Sequence, residues 1–215
     1  MFDIAEDNRL KYYLATVPES DRWTLSKLQA SPKSKMPPEQ QTSLIAKLQA
    51  KPDIGHAFLG PSGYGKSTWM YALFLEALDR HDDIDFDHAV VKMENRYQPV
   101  VFVHAAELLD QIEAWKYREG PHPILTVQRI DRMRQLGVKF SVFVDEFEKI
   151  RKSPFRMEQS YNLLEAMYRA RDYCQLVIAG NLTKADLDDR NQYLEGTYRR
   201  IEALTTPRFW ECGGK

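Results

Sequence analysis

The 215-residue sequence predicts an α/β fold, a three-layer arrangement in which a parallel sheet carries helices on both faces behind a small N-terminal helical segment. Three observations predict it. From Pro37 onward, strand-like and helix-like segments alternate, the pattern of a parallel sheet covered by its crossover helices. A glycine-rich stretch, "GPSGYGKST" from Gly60 to Thr68, joins the first strand to the first helix of that series. A later strand ends in two acids, in "FSVFVDEF", at the carboxyl end where ligands of parallel sheets sit.

The elements follow in chain order. "IAEDNRLKYYLA" and "DRWTLSKLQA" carry apolar residues at helical spacing, the second entered through Ser20 as a cap and stopped before Pro32. The prolines and small polar residues of "SPKSKMPPEQ" then predict a linker over residues 31–38, dividing a segment of residues 1–36 from a core of residues 37–215. "LSKLQASP" is echoed by "IAKLQAKP", each ending where a proline stops a helix, but two copies do not make a repeat architecture. "HAFLG" is a short buried strand, and "STWMYALFLEAL", apolar nearly all round, is a helix sandwiched within the fold. "PVVFVHA", "KFSVFVDE" and "QLVIAGN" are three further strands, separated by the helical "AELLDQIEAWKY", "VQRIDRMRQL" and "SYNLLEAMYRARDY". The stretch "DIDFDHAVVKMENRYQ" predicts a hairpin.

Composition bounds what such a domain can do. A formal charge of −1 gives no general attraction to nucleic acid, so any such binding must come from local patches. No apolar run approaches the roughly 20 residues of a membrane span. The start "MFDIAEDNRL" lacks the order of a secretory signal, and the expected compartment is the cytoplasm. The two cysteines stand in no metal-ligand spacing; Cys174 is expected in the core, and Cys212 has no assigned role.

The chemistry is carried by four short segments. Gly60–Ser67 fits G-x-x-x-x-G-K-S/T between a strand and a helix, the loop whose backbone N–H groups, here those of Ser62 to Lys66, wrap a nucleotide β-phosphate. Lys66 would reach the β and γ oxygens, and the Ser67 hydroxyl would bind Mg²⁺. Gly60, Pro61, Ser62, Gly63, Tyr64, Gly65, Lys66, Ser67 and Thr68 are therefore the candidate ATP-binding residues. Asp145 would hold the Mg²⁺ through water, and Glu146 is placed to be the base that activates an attacking water. Asn181, after "LVIAG", is either a turn residue or an amide that orients that water or the γ-phosphate. In "EGTYRRIEAL", Arg199 or Arg200 is either a solvated face or an arginine finger reaching a neighbouring subunit's nucleotide.

Taken in this order, the elements resemble the AAA+ ATPases, and within them the DnaC/IstB group of helicase loaders and transposition helper ATPases. The resemblance covers roughly residues 37–208, and its particular points are "FVHAAELLDQI", "VDEFEKIR", "LLEAMYRARDYCQLVIAGNLTKADL" and "LEGTYRRI". It implies the usual catalytic roles for Lys66, Glu146, Asn181 and Arg200, with Arg200 matching the finger position better than Arg199, and Mg²⁺ binding for Ser67 and Asp145. The chain departs from the group at Gly180, where Ser or Thr is usual before the asparagine, and at His104, where a small hydroxyl residue is commoner. No C-terminal helical lid is expected, and Arg208 is a candidate stand-in for the lid's sensor arginine.

The resemblance implies a homo-oligomer with nucleotide at its subunit interfaces, loading or remodelling a replicative helicase on DNA. Alternatives are an IstB-like helper that binds DNA and activates a transposase, and an adaptor that uses ATP only for assembly. A transporter ATPase would need an "LSGGQ" segment, which the sequence lacks, and a small-molecule kinase would not need Glu146 beside Asp145. A calcium loop over "DIDFDHAVVKME" fails at its sixth position, where His88 replaces the required glycine. "EAWKYREG", "QRIDRMRQLG" and "EKIRKSPFR" are basic and aromatic segments that could carry single-stranded or duplex DNA, with Trp115 or Tyr117 stacking on bases. In residues 1–36, Tyr12, Tyr13, Leu14, Trp23, Leu25 and Leu28 exceed what two short helices can bury between themselves, so they dock either on a protein partner or on the chain's own core.

Overall fold

The computed structural model describes residues 12–81, 99–150, 153–189 and 193–205, together with the backbone of 209–211. Its centre is a five-stranded parallel sheet in the order β2-β3-β4-β1-β5, formed by β1 (His56–Leu59), β2 (Val100–His104), β3 (Phe140–Asp145), β4 (Cys174–Gly180) and β5 (Phe209–Glu211). Side chains alternate between two cores. Ala57, Leu59, Val101, Val103, Val142, Val144, Leu176 and Ile178 face one side. Phe58, Val100, Phe102, Phe143, Val177 and Ala179 face the other. Both faces are apolar because both are covered, as in other parallel sheets.

From residue 38 on, the described helices are α1 (Pro38–Ala50), α2 (Lys66–Arg80), α3 (Ala105–Lys116), α4 (Val127–Gln135), α5 (Pro154–Arg169), α6 (Lys184–Asp188) and α7 (Thr197–Thr205). Their starts are written locally. Pro38 and Pro154 sit in the first turns of α1 and α5, where a missing N–H costs nothing. The Ser153 and Thr126 side chains accept from the N–H groups of Arg156 and Arg129, and Thr183 forms a capping box with Asp186. Residues of α3, α4, α5 and α7 build the first core, while α1 and α2 build the second.

The chain passes from β1 through α2 to the distant edge strand β2 and then returns by β3 and β4 to the side of β1. The carboxyl ends of β1, β3 and β4 therefore open on one edge, where ligands of open α/β sheets collect. A buried amide braces the opposite end: Gln175 Nε2 donates to the Pro52 and Ile54 carbonyls, and its Oε1 accepts from Ser141 and Arg80.

The N-terminal segment departs from the sequence reading. Residues 12–16 are helical, but "DRWTLSKLQA", preceded by a 3-10 turn at Glu19–Asp21, forms only the single 3-10 turn Leu25–Lys27 instead of a helix. Tertiary packing explains the difference, because Tyr13, Val17, Leu25, Leu28 and Met36 each enter the second core individually, beside Trp69, Met70 and Phe74. Leu14 and Trp23 remain exposed. Residues 31–36 lie against the core: the Gln41 side chain bonds the backbone N–H and carbonyl of Ser31 and the Met36 carbonyl, and the Lys35 N–H donates to the Gly63 carbonyl.

β5, α6 and α7 went unrecognised in the sequence. The expected hairpin over residues 83–98, with its acidic loop, lies outside the described residues, as do Arg208 and Cys212. Cys174 is buried in β4, and burial pushes its thiol pKa up. No helix among the described residues is long and apolar enough to cross a membrane.

Candidate functional site

The phosphate-binding loop leaves β1 at Leu59 and enters α2 at Lys66. Gly60, Gly63 and Gly65 all have positive φ, at 130°, 89° and 87°, so the loop's path excludes side chains at these points. Gly65 also sets the indole of Trp69 against the loop, since a Cβ there would meet the ring at 3.4 Å. The Lys66 ammonium is buried; it donates to the carbonyls of Gly60 at 2.7 Å and Pro61 at 2.6 Å, and to Asn181 Oδ1 at 2.9 Å. The N-terminal segment grips the loop from outside. The Ser34 hydroxyl donates to the Tyr64 carbonyl, and the Thr68 hydroxyl donates to Asp21.

β3 delivers the acids. Asp145, the last residue of the strand, is buried, and burial pushes its carboxyl above the ordinary range. The Glu146 N–H, nearby His104 and the Ser67 hydroxyl oppose that shift without reversing it. A buried carboxylate facing a hydroxyl at the mouth of a phosphate loop is a donor set of hard oxygens, which suits Mg²⁺. Glu146 takes the left-handed conformation at φ 55°, rare for a residue with a side chain and costing about 1–2 kcal/mol. Its carboxylate is ion-paired with Lys149 and lies 3.8 Å from His104 Nδ1, so it turns off the strand toward the pocket edge.

β4 delivers Asn181. Gly60 N–H bonds the Gly180 carbonyl at 3.2 Å, which holds the ends of β1 and β4 together and brings Asn181 to Lys66. Ser62, Gly63, Gly65, Lys66, Ser67, Thr68, Asp145, Glu146 and Asn181 thus line one cavity of about 210 Å³. Gly60 and Pro61 contribute carbonyls to its lysine, and Tyr64 flanks it. Arg200 is not among them. It lies on α7, where its Nε donates to Glu165 and its guanidinium sits 4.4 Å from the centre of the Tyr168 ring; Arg199 is exposed beside it.

Glu148 also lines the cavity, and sequence reading missed it. Its signal was the acidic residue two places after Glu146 in "DEFEK", a spacing that the turn Phe147–Lys149 folds back onto the pocket. Asp21, Ser34 and Lys35 carried no signal, because their role depends on where the N-terminal segment lands.

No protein-family model matches the chain, and no curated protein matches it. Solved structures do. The DnaC helicase loader superposes with a TM-score of 0.59 at 13% identity, covering 94% of this chain and 99% of that one. The chain carries an AAA+ fold of the DnaC-like kind. AMPPCP-bound DnaA from Aquifex aeolicus matches with a TM-score of 0.55 at 13% identity, over 89% of this chain and 50% of that one. A putative primosome component from Streptococcus pyogenes serotype M3 matches with 0.52 at 16% identity, over 93% and 92%. The chain spans about half the length of the DnaA structure it matches.

Proposed function

We propose that this AAA+ protein binds and hydrolyses Mg·ATP and uses the cycle to load or remodel a replicative helicase on DNA. The observation that carries the reading is the convergence of Lys66, Ser67, Asp145, Glu146 and Asn181 around one cavity, in a chain whose fold matches the DnaC helicase loader along nearly its full length.

The loop N–H groups would receive the β-phosphate at the positive end of α2. Lys66 would exchange its loop carbonyls for phosphate oxygens, a substitution among acceptors that leaves the ammonium paired in both states. Ser67 and Asp145 would hold Mg²⁺, which neutralises charge on the β- and γ-phosphates. Glu146 stands at the cavity edge as the base for the attacking water, and Asn181 directs an amide into the same space.

Arg200 lies outside this cavity, which fits a finger supplied to a second copy rather than to its own nucleotide. Its pairing with Glu165 would then be exchanged for a neighbour's phosphate when subunits assemble. DNA would be met by the region around Trp115 and Tyr117, both exposed, where Lys116 lies over the Tyr117 and Phe155 rings.

The test is affinity capture of the tagged full chain from its own cells with Glu146→Gln as bait, since a variant held in the ATP state retains its partner. Recovery of the replicative helicase supports the loader reading. Recovery of a transposase without helicase replaces it with the transposition helper.

A further inference from the structure

We infer that Glu148 is a positioning residue that fixes the orientation of the Asn181 side-chain amide toward the nucleotide pocket. The inference rests on reading that pocket as the ATP site.

Both polar ends of Asn181 are held by groups that can act in only one sense. Glu148 Oε2 accepts from the Asn181 backbone N–H at 2.9 Å, and Glu148 Oε1 accepts from Asn181 Nδ2 at 2.6 Å. Asn181 Oδ1 accepts from the Lys66 ammonium at 2.9 Å. A carboxylate only accepts and an ammonium only donates. Turning the amide over would set its NH₂ against an ammonium and its oxygen against a carboxylate, so the two charges select one orientation. Nδ2 keeps a second N–H that Glu148 does not use. When ATP draws Lys66 onto phosphate, Glu148 still holds the backbone N–H and one Nδ2 N–H of Asn181, and the amide keeps its facing through the cycle.

Gly180 supplies an independent observation. Its φ is not positive, and it pairs regularly with Leu59, so the backbone does not require glycine. A Cβ at Gly180 would instead stand 3.2 Å from Glu148 Oε2 and 3.4 Å from Phe147 Cβ, so the carboxylate would have to shift by a few tenths of an ångström to admit it. The absent side chain makes room for Glu148. Gly180 and the carboxylate over it form one device, in which Glu148 holds the asparagine from the side that a residue-180 side chain would otherwise fill.

The test uses the full chain and two readouts. In ¹H–¹⁵N spectra without nucleotide, the Asn181 side-chain NH₂ pair, assigned with Asn181→Asp, should show widely separated proton shifts because only one proton faces a carboxylate. Glu148→Gln, equal in size but presenting one acceptor where two are used, and Glu148→Ala should both collapse that separation. Gly180→Ala should reduce it, and Gly180→Ala should have no further effect in the Glu148→Ala background, since the two act through one contact. In turnover assays Glu148→Ala should lower kcat about tenfold or more with KM for ATP nearly unchanged, the signature of an interaction expressed in the transition state. An unshifted Asn181 pair in both Glu148 variants, or additive effects in the double variant, overturns the inference whether or not the chain hydrolyses ATP. An absence of hydrolysis by the wild type would instead count against the ATPase reading, with the spectra still deciding the positioning role.

Discussion

The Thr68 hydroxyl donates a 2.8 Å hydrogen bond to the Asp21 carboxylate across 47 positions of sequence, tying the N-terminal segment to the first turn of the helix behind the phosphate loop. The N-terminal segment thereby touches a residue that lines the site.

Tyr13 tests that statement. Its ring is buried against Phe74 at 6.1 Å between centroids, while its hydroxyl has no hydrogen-bond partner among the described residues. Tyr13→Ala should cost about 3 kcal/mol, lowering Tm by roughly 6–12 °C. Tyr13→Phe removes only a buried, unsatisfied hydroxyl and should leave Tm unchanged or raise it. Thermal melts of both variants check this, and a neutral Tyr13→Ala would return residues 12–36 to the status of a separate module.

Gly55 is a closer constraint than the glycines of the phosphate loop. A Cβ there would lie 2.1 Å from the Leu204 carbonyl oxygen and 3.0 Å from that of Leu176, both backbone atoms. Gly55→Ala should therefore force α7 away from the start of β1 and cost about 2–3 kcal/mol, measurable by denaturant unfolding.

Asp145 carries a buried charge that magnesium would relieve. Its pKa is raised by burial, so the folded chain holds this proton more tightly than the unfolded one, and its ionisation weakens folding above the folded pKa. Asp145→Asn should melt higher than wild type at neutral pH in metal-free buffer, with the difference shrinking as pH falls through the raised value. The same variant should lose the Mg²⁺-dependent part of ATP stabilisation. A lower melting temperature for metal-free Asp145→Asn would contradict the burial argument.

Arg200 should act on a neighbour. Arg200→Ala should bind ATP normally and hydrolyse it more slowly by up to about 10³-fold. Mixing it with Lys66→Ala should restore activity, because one subunit offers an intact pocket and the other an intact finger. Arg199→Ala losing activity while Arg200→Ala keeps it would move the finger to the exposed neighbour.

The sequence made the three-layer sheet legible because three of the buried strands end in a residue with chemistry, Gly60 after β1, Asp145 on β3 and Asn181 after β4, and these repeat a known order. What it hid was non-local. The 3-10 turns around Ser20 and Ser26 have helical spacing, yet Leu25 and Leu28 are each buried in the second core without a continuous helix between them. β5 is three residues long and defined by pairing with β1, a relation that no local pattern encodes. Glu148 stood in plain view in "VDEFEK", but its role needs the fold to return Asn181 over it.

The central claim is that the cavity between β1, β3 and β4 turns over ATP, and the most direct measurement pairs steady-state phosphate release with ATP-dependent melting on three proteins. Wild type should hydrolyse Mg·ATP and gain about 2.7 kcal/mol of stability at ATP concentrations a hundredfold above Kd. Glu146→Gln should keep the thermal gain and lose turnover by at least about 10²-fold, and Lys66→Ala should lose both. Hydrolysis by Glu146→Gln at the wild-type rate, or a Lys66→Ala protein that ATP still stabilises fully, would contradict it.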